Sequence, residues 1–195
     1  MKTGIMPTQD ETILRSKRKS IYLRLHDEWE NVMDGKLRNM TGIYIRKGDR
    51  MLMLYRQGGR VVSEVWVPSA GGHFEEAEYC DARACVLREL NEELGITEEQ
   101  LENLRLRYVT LRQRNGEIRQ NYYFFADLKA DAGETFSSNE GVCRWFALSE
   151  LPSLEMPFTA RFVMEHYLKT GYATLDIYGG IADGEKVVFT KMPEF

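Results

Sequence analysis

Residues 71–96 read GGHFEEAEYCDARACVLRELNEELGI, a paired glycine turn followed by a short helical segment. With about 3.6 residues per helical turn, Glu89 and Glu93 stack one turn apart and Glu92 lies beside them. Arg88 precedes Glu92 by one turn. Each like-charged pair on one helix face destabilises the helix by about 0.2–0.5 kcal/mol. The three glutamates therefore predict a site for a divalent cation, which takes oxygen ligands.

The surroundings of this helix decide between two interpretations. A glutamate-rich helix on its own is more often a solvated surface than a metal site. Here the Gly71-Gly72 turn precedes the helix, and Gly95, a residue suited to the left-handed position just past a helix end, stops it. A loop, a helix and a stop in this order favour the functional interpretation.

These residues resemble the signature of the Nudix, or MutT-type, hydrolases. That signature runs Gly, five residues, Glu, seven residues, Arg-Glu, an aliphatic residue, any residue, Glu-Glu, any residue, Gly and an aliphatic residue. The chain reproduces it from Gly72 through Glu78 and Arg88 to Ile96, with nine residues instead of seven between Glu78 and Arg88. The regular spacing would put the glutamate at Cys80, whose thiol cannot replace a carboxylate. A two-residue insertion in the loop before the helix accounts for the difference.

The resemblance implies a metal-dependent hydrolase of a nucleoside diphosphate linked to another group. In this family Mg²⁺ or Mn²⁺ bridges phosphate oxygens while a water molecule attacks phosphorus. By the same resemblance Glu89, Glu92 and Glu93 are the metal ligands, with the backbone carbonyl of Gly71 or Gly72 nearby. Glu89 and Glu93 are thereby candidate catalytic residues. Which glutamate acts as the general base stays open, because Nudix enzymes differ on this point.

Arg88 has a bracing role by this resemblance, and we include it in the catalytic set. Its planar guanidinium can hold a carboxylate with two hydrogen bonds, and in the family it pairs with the early glutamate and orients the loop against the helix. Glu78 holds that position in the motif. Glu75 and Glu76 stay open as alternatives because of the insertion.

A fourth carboxylate from outside the motif often completes such sites as a metal ligand or a general base. The candidate is Glu140, because family members carry a loop glutamate shortly before a strand that ends in arginine and tryptophan, as at Arg144-Trp145. An acid in a surface loop is the alternative interpretation of Glu140.

Composition sets outer limits on the function. The chain has 195 residues, enough for one domain with an elaboration, and its formal charge of -4 argues against a nucleic-acid polymer as partner. No apolar run approaches the ~20 residues that span a bilayer, and the start, residues 1–7, lacks the hydrophobic region of a signal peptide. Three cysteines, at 80, 85 and 143, indicate free thiols in a reducing compartment. We expect a cytoplasmic protein without a membrane partner.

The hydrophobic pattern predicts three regions: an amphipathic helical extension at 1–38, a Nudix domain at 39–172 and a hairpin-like tail at 173–195. The extension is predicted to be a packing helix or a homodimer element. Within the domain the pattern indicates strands at 41–45, 51–56, 104–114, 120–128 and 142–146 and a second helix at 159–169. We therefore expect an α/β (α+β) fold, the Nudix α/β/α sandwich with a mixed sheet, preceded by an N-terminal helix.

The residues that select the substrate lie outside the motif. Four stretches look similar to nucleoside triphosphate pyrophosphohydrolases that remove 8-oxo-dGTP: residues 39–45, 71–75, 139–141 and 165–171. Asn39 and Asn121 are candidate base readers, because an amide offers a donor and an acceptor, and His73 is placed to touch a phosphate. We predict hydrolysis of a nucleoside triphosphate to the monophosphate and pyrophosphate, with an oxidised purine nucleotide favoured.

Other activities of this family stay open at this stage. They are hydrolysis of ADP-ribose or a nucleotide sugar, isomerisation of isopentenyl diphosphate, and a non-catalytic module that senses a ligand. The isomerase needs a catalytic cysteine, and Cys80 is the loop candidate. Non-catalytic modules usually lose the motif glutamates, whereas this chain keeps Arg88, Glu89, Glu92 and Glu93, which favours an enzyme.

Overall fold

The computed structural model describes residues 36–57 and 64–193. Residues 1–35 of the helical extension predicted at 1–38 lie outside the described residues, and its last three residues instead belong to the first strand, which begins at Lys36. Within the described part of the chain, no helix is long and apolar enough to cross a membrane. The residues that carry the motif and both predicted hairpins are all described.

The described residues are built around one mixed sheet of eight strands. Seven follow the order β3-β2-β1-β5-β4-β7-β8, and β6 pairs with β2. The strands are β1 (Lys36–Lys47), β2 (Arg50–Arg56), β3 (Val65–Val67), β4 (Leu101–Arg114), β5 (Glu117–Leu128), β6 (Gly141–Ala147), β7 (Tyr178–Ala182) and β8 (Val187–Lys191). The α-helices of the described part of the chain are α1 (Ala82–Leu94) and α2 (Phe158–Lys169).

Both predicted hairpins of the domain are confirmed, and each is longer than its apolar run. β1 and β2 pair antiparallel, with Ile45 opposite Leu52. β4 and β5 pair antiparallel around Asn115 and Gly116, whose φ angles are 52° and 72°. Two consecutive positive φ angles define the turn that suits the right-handed twist of a hairpin, and asparagine and glycine accept them most readily.

Two features of the sheet depend on distant pairing. The pattern did not predict β3, a strand of three residues that pairs with Leu54, Tyr55 and Arg56 of β2. In the tail, β7 and β8 form an antiparallel hairpin, and β7 also pairs in parallel with β4, with Tyr108 opposite Tyr178. The last two strands therefore extend the main sheet.

The hydrophobic core lies on both faces of the sheet, because successive side chains of a strand point to opposite sides. Tyr44 packs in a cluster with Val163 and Met164 of α2, whereas its neighbours Ile43 and Ile45 pack in a cluster with residues of α1. The two helices thus cover opposite faces. This confirms the expected α/β/α sandwich.

Candidate active site

The helix α1 begins and ends where its sequence predicts. The side chain of Asp81 accepts hydrogen bonds from the backbone N–H groups of Arg83 and Ala84, and Gly95 follows the last turn with φ of 65°. An aspartate at this position satisfies N–H groups that have no partner within the helix. One side of the helix is buried, through Cys85, Val86, Leu90 and Leu94. The motif arginine and glutamates lie on the remaining surface.

The glycine turn reaches the helix because β1 holds it. The N–H of Thr41 donates to the carbonyl of Gly72 at 2.8 Å, which uses one of that carbonyl's two lone pairs. A Cβ atom at Gly71 would overlap the backbone of Thr41 and Gly42, and a Cβ atom at Gly72 would overlap the carboxylate of Glu89. Gly71 must therefore be glycine for the loop to lie against β1, whereas a side chain at Gly72 would displace the flexible carboxylate end of Glu89.

Glu78 is the carboxylate that Arg88 holds. Arg88 Nε donates to Glu78 Oε1 at 2.7 Å and Nη2 donates to Oε2 at 3.0 Å. The Arg88 guanidinium keeps the pKa of Glu78 at about 2, far below its ordinary value. Glu78 is buried, whereas Glu75 and Glu76 are exposed. The loop takes up its extra length after Glu78, where Tyr79 and Cys80 are exposed.

Arg88 also connects the helix to the loop at other points. Its Nη1 donates to Glu89 Oε1 and to Glu92 Oε2, both at 3.0 Å, and its Nη2 donates to the backbone carbonyl of His73 at 3.1 Å. One guanidinium thus contacts three carboxylates and the main chain. Arg88 contacts His73 through the backbone carbonyl of that residue.

Three carboxylates from two parts of the chain influence one another. Glu93 Oε2 accepts from the N–H of Gly71 at 3.2 Å. Burial, followed by the charges of Glu140 and Glu89, raises the pKa of Glu93 to about 8. Burial also raises the pKa of Glu89, against the lowering effect of Arg88 and with further raising by Glu92 and Glu140. Such mutual repulsion favours a proton or a cation among them.

Strand pairing brings Glu140 to the motif helix. Glu140 precedes β6, whose first residue, Gly141, lies opposite Arg56 at the end of β2. Arg56 Nη2 lies 3.1 Å from Glu140 Oε2, and the Glu140 carbonyl accepts from the N–H of Gln57. A Cβ atom at Gly141 would overlap the carbonyl of Tyr55, so the two strands can approach this closely only with glycine there.

The donor set fits a hard divalent cation, although the described side chains form no group of three or more that converges as a metal site. Glu89 and Glu92 turn to Arg88, and Glu93 turns to Gly71. Glu92 is the most exposed of the three, with 58% of its side chain accessible. The fit rests on chemistry: Glu89, Glu93 and Glu140 supply oxygen ligands, and the charge of Glu140 raises the pKa of both Glu89 and Glu93. A cation would relieve that repulsion.

A cavity opens beside these carboxylates, between the sheet and the start of α2. Glu93, Glu140 and Asn121 line it, so the structure brings these three predicted site residues together. Neither Asn39 nor His73 is among the described residues that line it. His73 is exposed and pairs with Met40 through an isolated antiparallel β-bridge. The structure therefore does not bring Asn39 and His73 to the cavity wall beside Asn121.

Three arginines of this cavity went unnoticed in the sequence: Arg56, Arg112 and Arg119. A signal for two of them was present. In a hairpin with the two-residue turn at 115–116, residues 112 and 119 must lie opposite each other, and they do. Arg56 had no such signal, because its place beside Glu140 depends on the pairing of β2 with β6.

Comparison with known proteins agrees with this fold and motif. The family model described as NUDIX domain matches residues 36–167. The chain therefore belongs to the Nudix family, and it is a Nudix hydrolase. Members of this family use divalent metal cations and act on small nucleotide derivatives.

Solved structures show the same fold. A mutator MutT protein from Bacillus halodurans aligns with a TM-score of 0.56 and 23% identity, over 81% of this chain and 99% of that one. An Ap4A hydrolase from C. elegans aligns with a TM-score of 0.57 and 20% identity, over 70% of this chain and 99% of that one. A MutT protein from Methanosarcina mazei aligns with a TM-score of 0.56 and 20% identity, over 71% and 98%. No curated protein sequence matches this chain.

Proposed function

We propose that this protein hydrolyses a nucleoside triphosphate to the monophosphate and pyrophosphate with Mg²⁺ or Mn²⁺, and that an oxidised purine nucleotide such as 8-oxo-dGTP is its favoured substrate. One observation carries the proposal. Glu93 and Glu140 line the same cavity as Asn121, so carboxylates suited to a metal-bound phosphate and an amide suited to a base lie within reach of one ligand.

Glu89 and Glu93 are the proposed metal ligands, with Glu92 as a further ligand at the exposed edge. The bound cation would neutralise phosphate charge and lower the pKa of a bound water. Arg88 keeps the loop and the helix in register by holding Glu78 on one side and Glu89 on the other. Glu93 accepts a hydrogen bond from Gly71, which fixes its carboxylate beside the glycine turn.

Glu140 completes the proposed site in one of two roles, as a ligand or as the base that takes a proton from the attacking water. Arg56 orients its carboxylate. The two roles differ in the behaviour of Glu140→Gln. Loss of a ligand raises the metal concentration needed for half-maximal rate, whereas loss of a base lowers kcat at an unchanged metal dependence.

The rest of the cavity fits a nucleoside. Leu54, Val67 and Pro68 provide apolar surface for the faces of a base, and Asn121 provides a donor and an acceptor for its edge. An oxidised guanine carries a hydrogen on N7 where guanine has a lone pair. The Asn121 amide can accept that hydrogen and donate to a neighbouring carbonyl oxygen.

Isomerisation of isopentenyl diphosphate is less well supported. That reaction needs a thiol at the substrate, and Cys80, Cys85 and Cys143 are not among the described residues that line the cavity. Cys80 is exposed in the loop, and burial raises the pKa of the Cys85 thiol to about 11. The thiols are free, which together with the charge of -4 supports a cytoplasmic enzyme of small molecules.

The test is product analysis with a panel of substrates. The protein is incubated with Mg²⁺ and dNTPs, 8-oxo-dGTP, ADP-ribose, nucleotide sugars or Ap4A. We expect pyrophosphate and the monophosphate, with 8-oxo-dGTP turned over faster than dGTP. Glu93→Gln should lower kcat by at least ~100-fold, the size of other electrostatic catalytic effects. Glu102→Gln, an exposed glutamate of β4, is the matched control. Turnover of ADP-ribose alone would overturn the proposed substrate.

A further inference from the structure

Two arginines face each other on the sheet wall of the cavity. Arg112 of β4 lies directly opposite Arg119 of β5, and both side chains are half-buried and line the cavity. Like charges directly opposite each other on antiparallel strands destabilise a sheet. The arrangement therefore costs stability in the free protein, and a ligand that accepts hydrogen bonds between the two guanidinium groups would offset that cost.

The two arginines differ in their partners. Arg119 donates to Glu117 at 3.2 Å, and Arg38 also pairs with Glu117. Arg112 has no carboxylate partner among the residues that the structure describes. Its guanidinium lies over the ring of Phe158, 4.6 Å from the centroid. Burial and neighbouring arginines lower the pKa of Arg112. The planar guanidinium of Arg112 thus lies against an aromatic ring on one face. No carboxylate of the described residues accepts its hydrogen bonds, so its donors are available to a ligand.

Arg112 and Arg119 are separate from Arg56, the arginine that pairs with the carboxylate of Glu140. Arg56 pairs with Glu140 from β2. Arg112 and Arg119 instead share a face of the β4–β5 hairpin with Asn121, since residues two apart on a strand point the same way. Along this face the cavity presents two donor-only groups and one amide. Such a wall suits the edge of a base whose phosphates lie at the glutamates.

We propose that Arg112, supported by Arg119, determines base specificity by selecting bases that present two acceptor atoms on one edge. A guanidinium offers only donors, and its fork matches two adjacent acceptors, as on the O6 and N7 edge of guanine. Oxidised guanine keeps O6 as an acceptor but carries a hydrogen on N7, so it accepts one hydrogen bond from the Arg112 fork where guanine accepts two. Adenine presents an amino group at the corresponding place, which meets Arg112 donor to donor. The proposal rests on the proposed function, in that a nucleotide occupies this cavity.

The experiment measures kcat/KM for dGTP, 8-oxo-dGTP and dATP with the wild type, Arg112→Gln and Arg112→Lys. We expect both variants to lower kcat/KM for dGTP about tenfold through KM, equivalent to ~1.4 kcal/mol, to lower that for 8-oxo-dGTP by a smaller factor, and to leave dATP unchanged. Lysine keeps the charge but loses the planar fork, so it should fail like glutamine. Arg105→Gln, an exposed arginine at the other end of β4, is the matched control. Melting temperatures verify that each variant is folded.

Two results would overturn the proposal. An equal fall for all three nucleotides in Arg112→Gln, with recovery in Arg112→Lys, would mean that Arg112 binds a phosphate by charge. Unchanged constants would mean that it does not touch the substrate. Calorimetry with GMP and AMP needs no hydrolysis, so it distinguishes failure of the base-specificity proposal from failure of the proposed function. If no dNTP is cleaved, a GMP preference that Arg112→Gln removes supports the base-reading role, and equal binding of GMP and AMP contradicts it.

Discussion

The ion pair between Glu78 and Arg88 yields the sharpest prediction about this fold. In Glu78→Gln one carboxylate oxygen becomes an NH₂ group, which faces an N–H donor of Arg88 and cannot accept from it. The variant loses one of two charge-assisted hydrogen bonds, at 2.7 and 3.0 Å, and the negative charge that balances the guanidinium. Hydrogen bonds to charged groups contribute about 1.5–3 kcal/mol, and both side chains are shielded, with 10% and 22% exposure. We therefore expect a loss of about 2 kcal/mol.

The assay is thermal unfolding of the metal-free protein at pH 7. A loss of about 2 kcal/mol corresponds to a fall in Tm of roughly 4–8 °C for a chain of this size. Glu76→Gln, an exposed neighbour that Arg88 does not contact, is the control and should leave Tm unchanged. An unchanged Tm in Glu78→Gln, or an equal fall in Glu76→Gln, would refute the bracing role.

The pH dependence provides a second measurement of the same pair. The pKa of Glu78 is about 2 in the folded protein, against 4.5 ordinarily. A lowered carboxyl pKa stabilises the folded state above the ordinary pKa, and the contribution is lost as pH falls from 4.5 towards 2. The difference in unfolding free energy between the wild type and Glu78→Gln should therefore be largest above pH 4.5 and shrink below it. A difference that stays constant across this range contradicts the reasoning.

Three further predictions follow from the site. Because the pKa of Glu93 is about 8 without a cation, Mg²⁺ binding at pH 7 should release a proton, and the apparent affinity for Mg²⁺ should rise with pH up to about 8. Calorimetry in buffers of different ionisation enthalpy measures both effects. An affinity for Mg²⁺ that does not change with pH contradicts this reasoning. Gly72→Ala displaces the Glu89 carboxylate and should lower kcat on the order of 100-fold in steady-state assays, the effect of a ~1 Å misplacement. Gly141→Ala should cost about 1–3 kcal/mol in denaturant titrations, whereas Gly133→Ala, which has open space, should cost little; equal losses would refute the steric argument.

Local chemistry explains which parts of the fold were predictable. The turn at Asn115 and Gly116 needs two positive φ angles, so these two residues specify the β4–β5 hairpin without help from the rest of the chain. The end of α1 at Gly95 follows in the same way. By contrast, β3 has only three residues, and its backbone is held by β2. A run this short carries too little periodicity to be recognised.

The carboxylates of the site also differ in whether local sequence spacing predicts their role. Glu89, Glu92 and Glu93 are readable because helical spacing alone places them on one short helix with Arg88. The choice of Glu78 over its neighbours depends on how a loop with two extra residues folds back, and no local pattern specifies that path. Non-local contacts of this kind depend on burial and strand pairing, which the linear sequence does not display.

The sequence by itself determined the family, the motif helix and the two long hairpins, because each follows from spacing within a few turns or from the chemistry of one turn. The tertiary structure decided which side chains meet. Pairing of β6 with β2 brings Glu140 to Glu93 and Arg56, and the β4–β5 register places Arg112 beside Arg119 on the cavity wall. These contacts join residues far apart in the chain, so only the folded sheet and its packed helices could specify them.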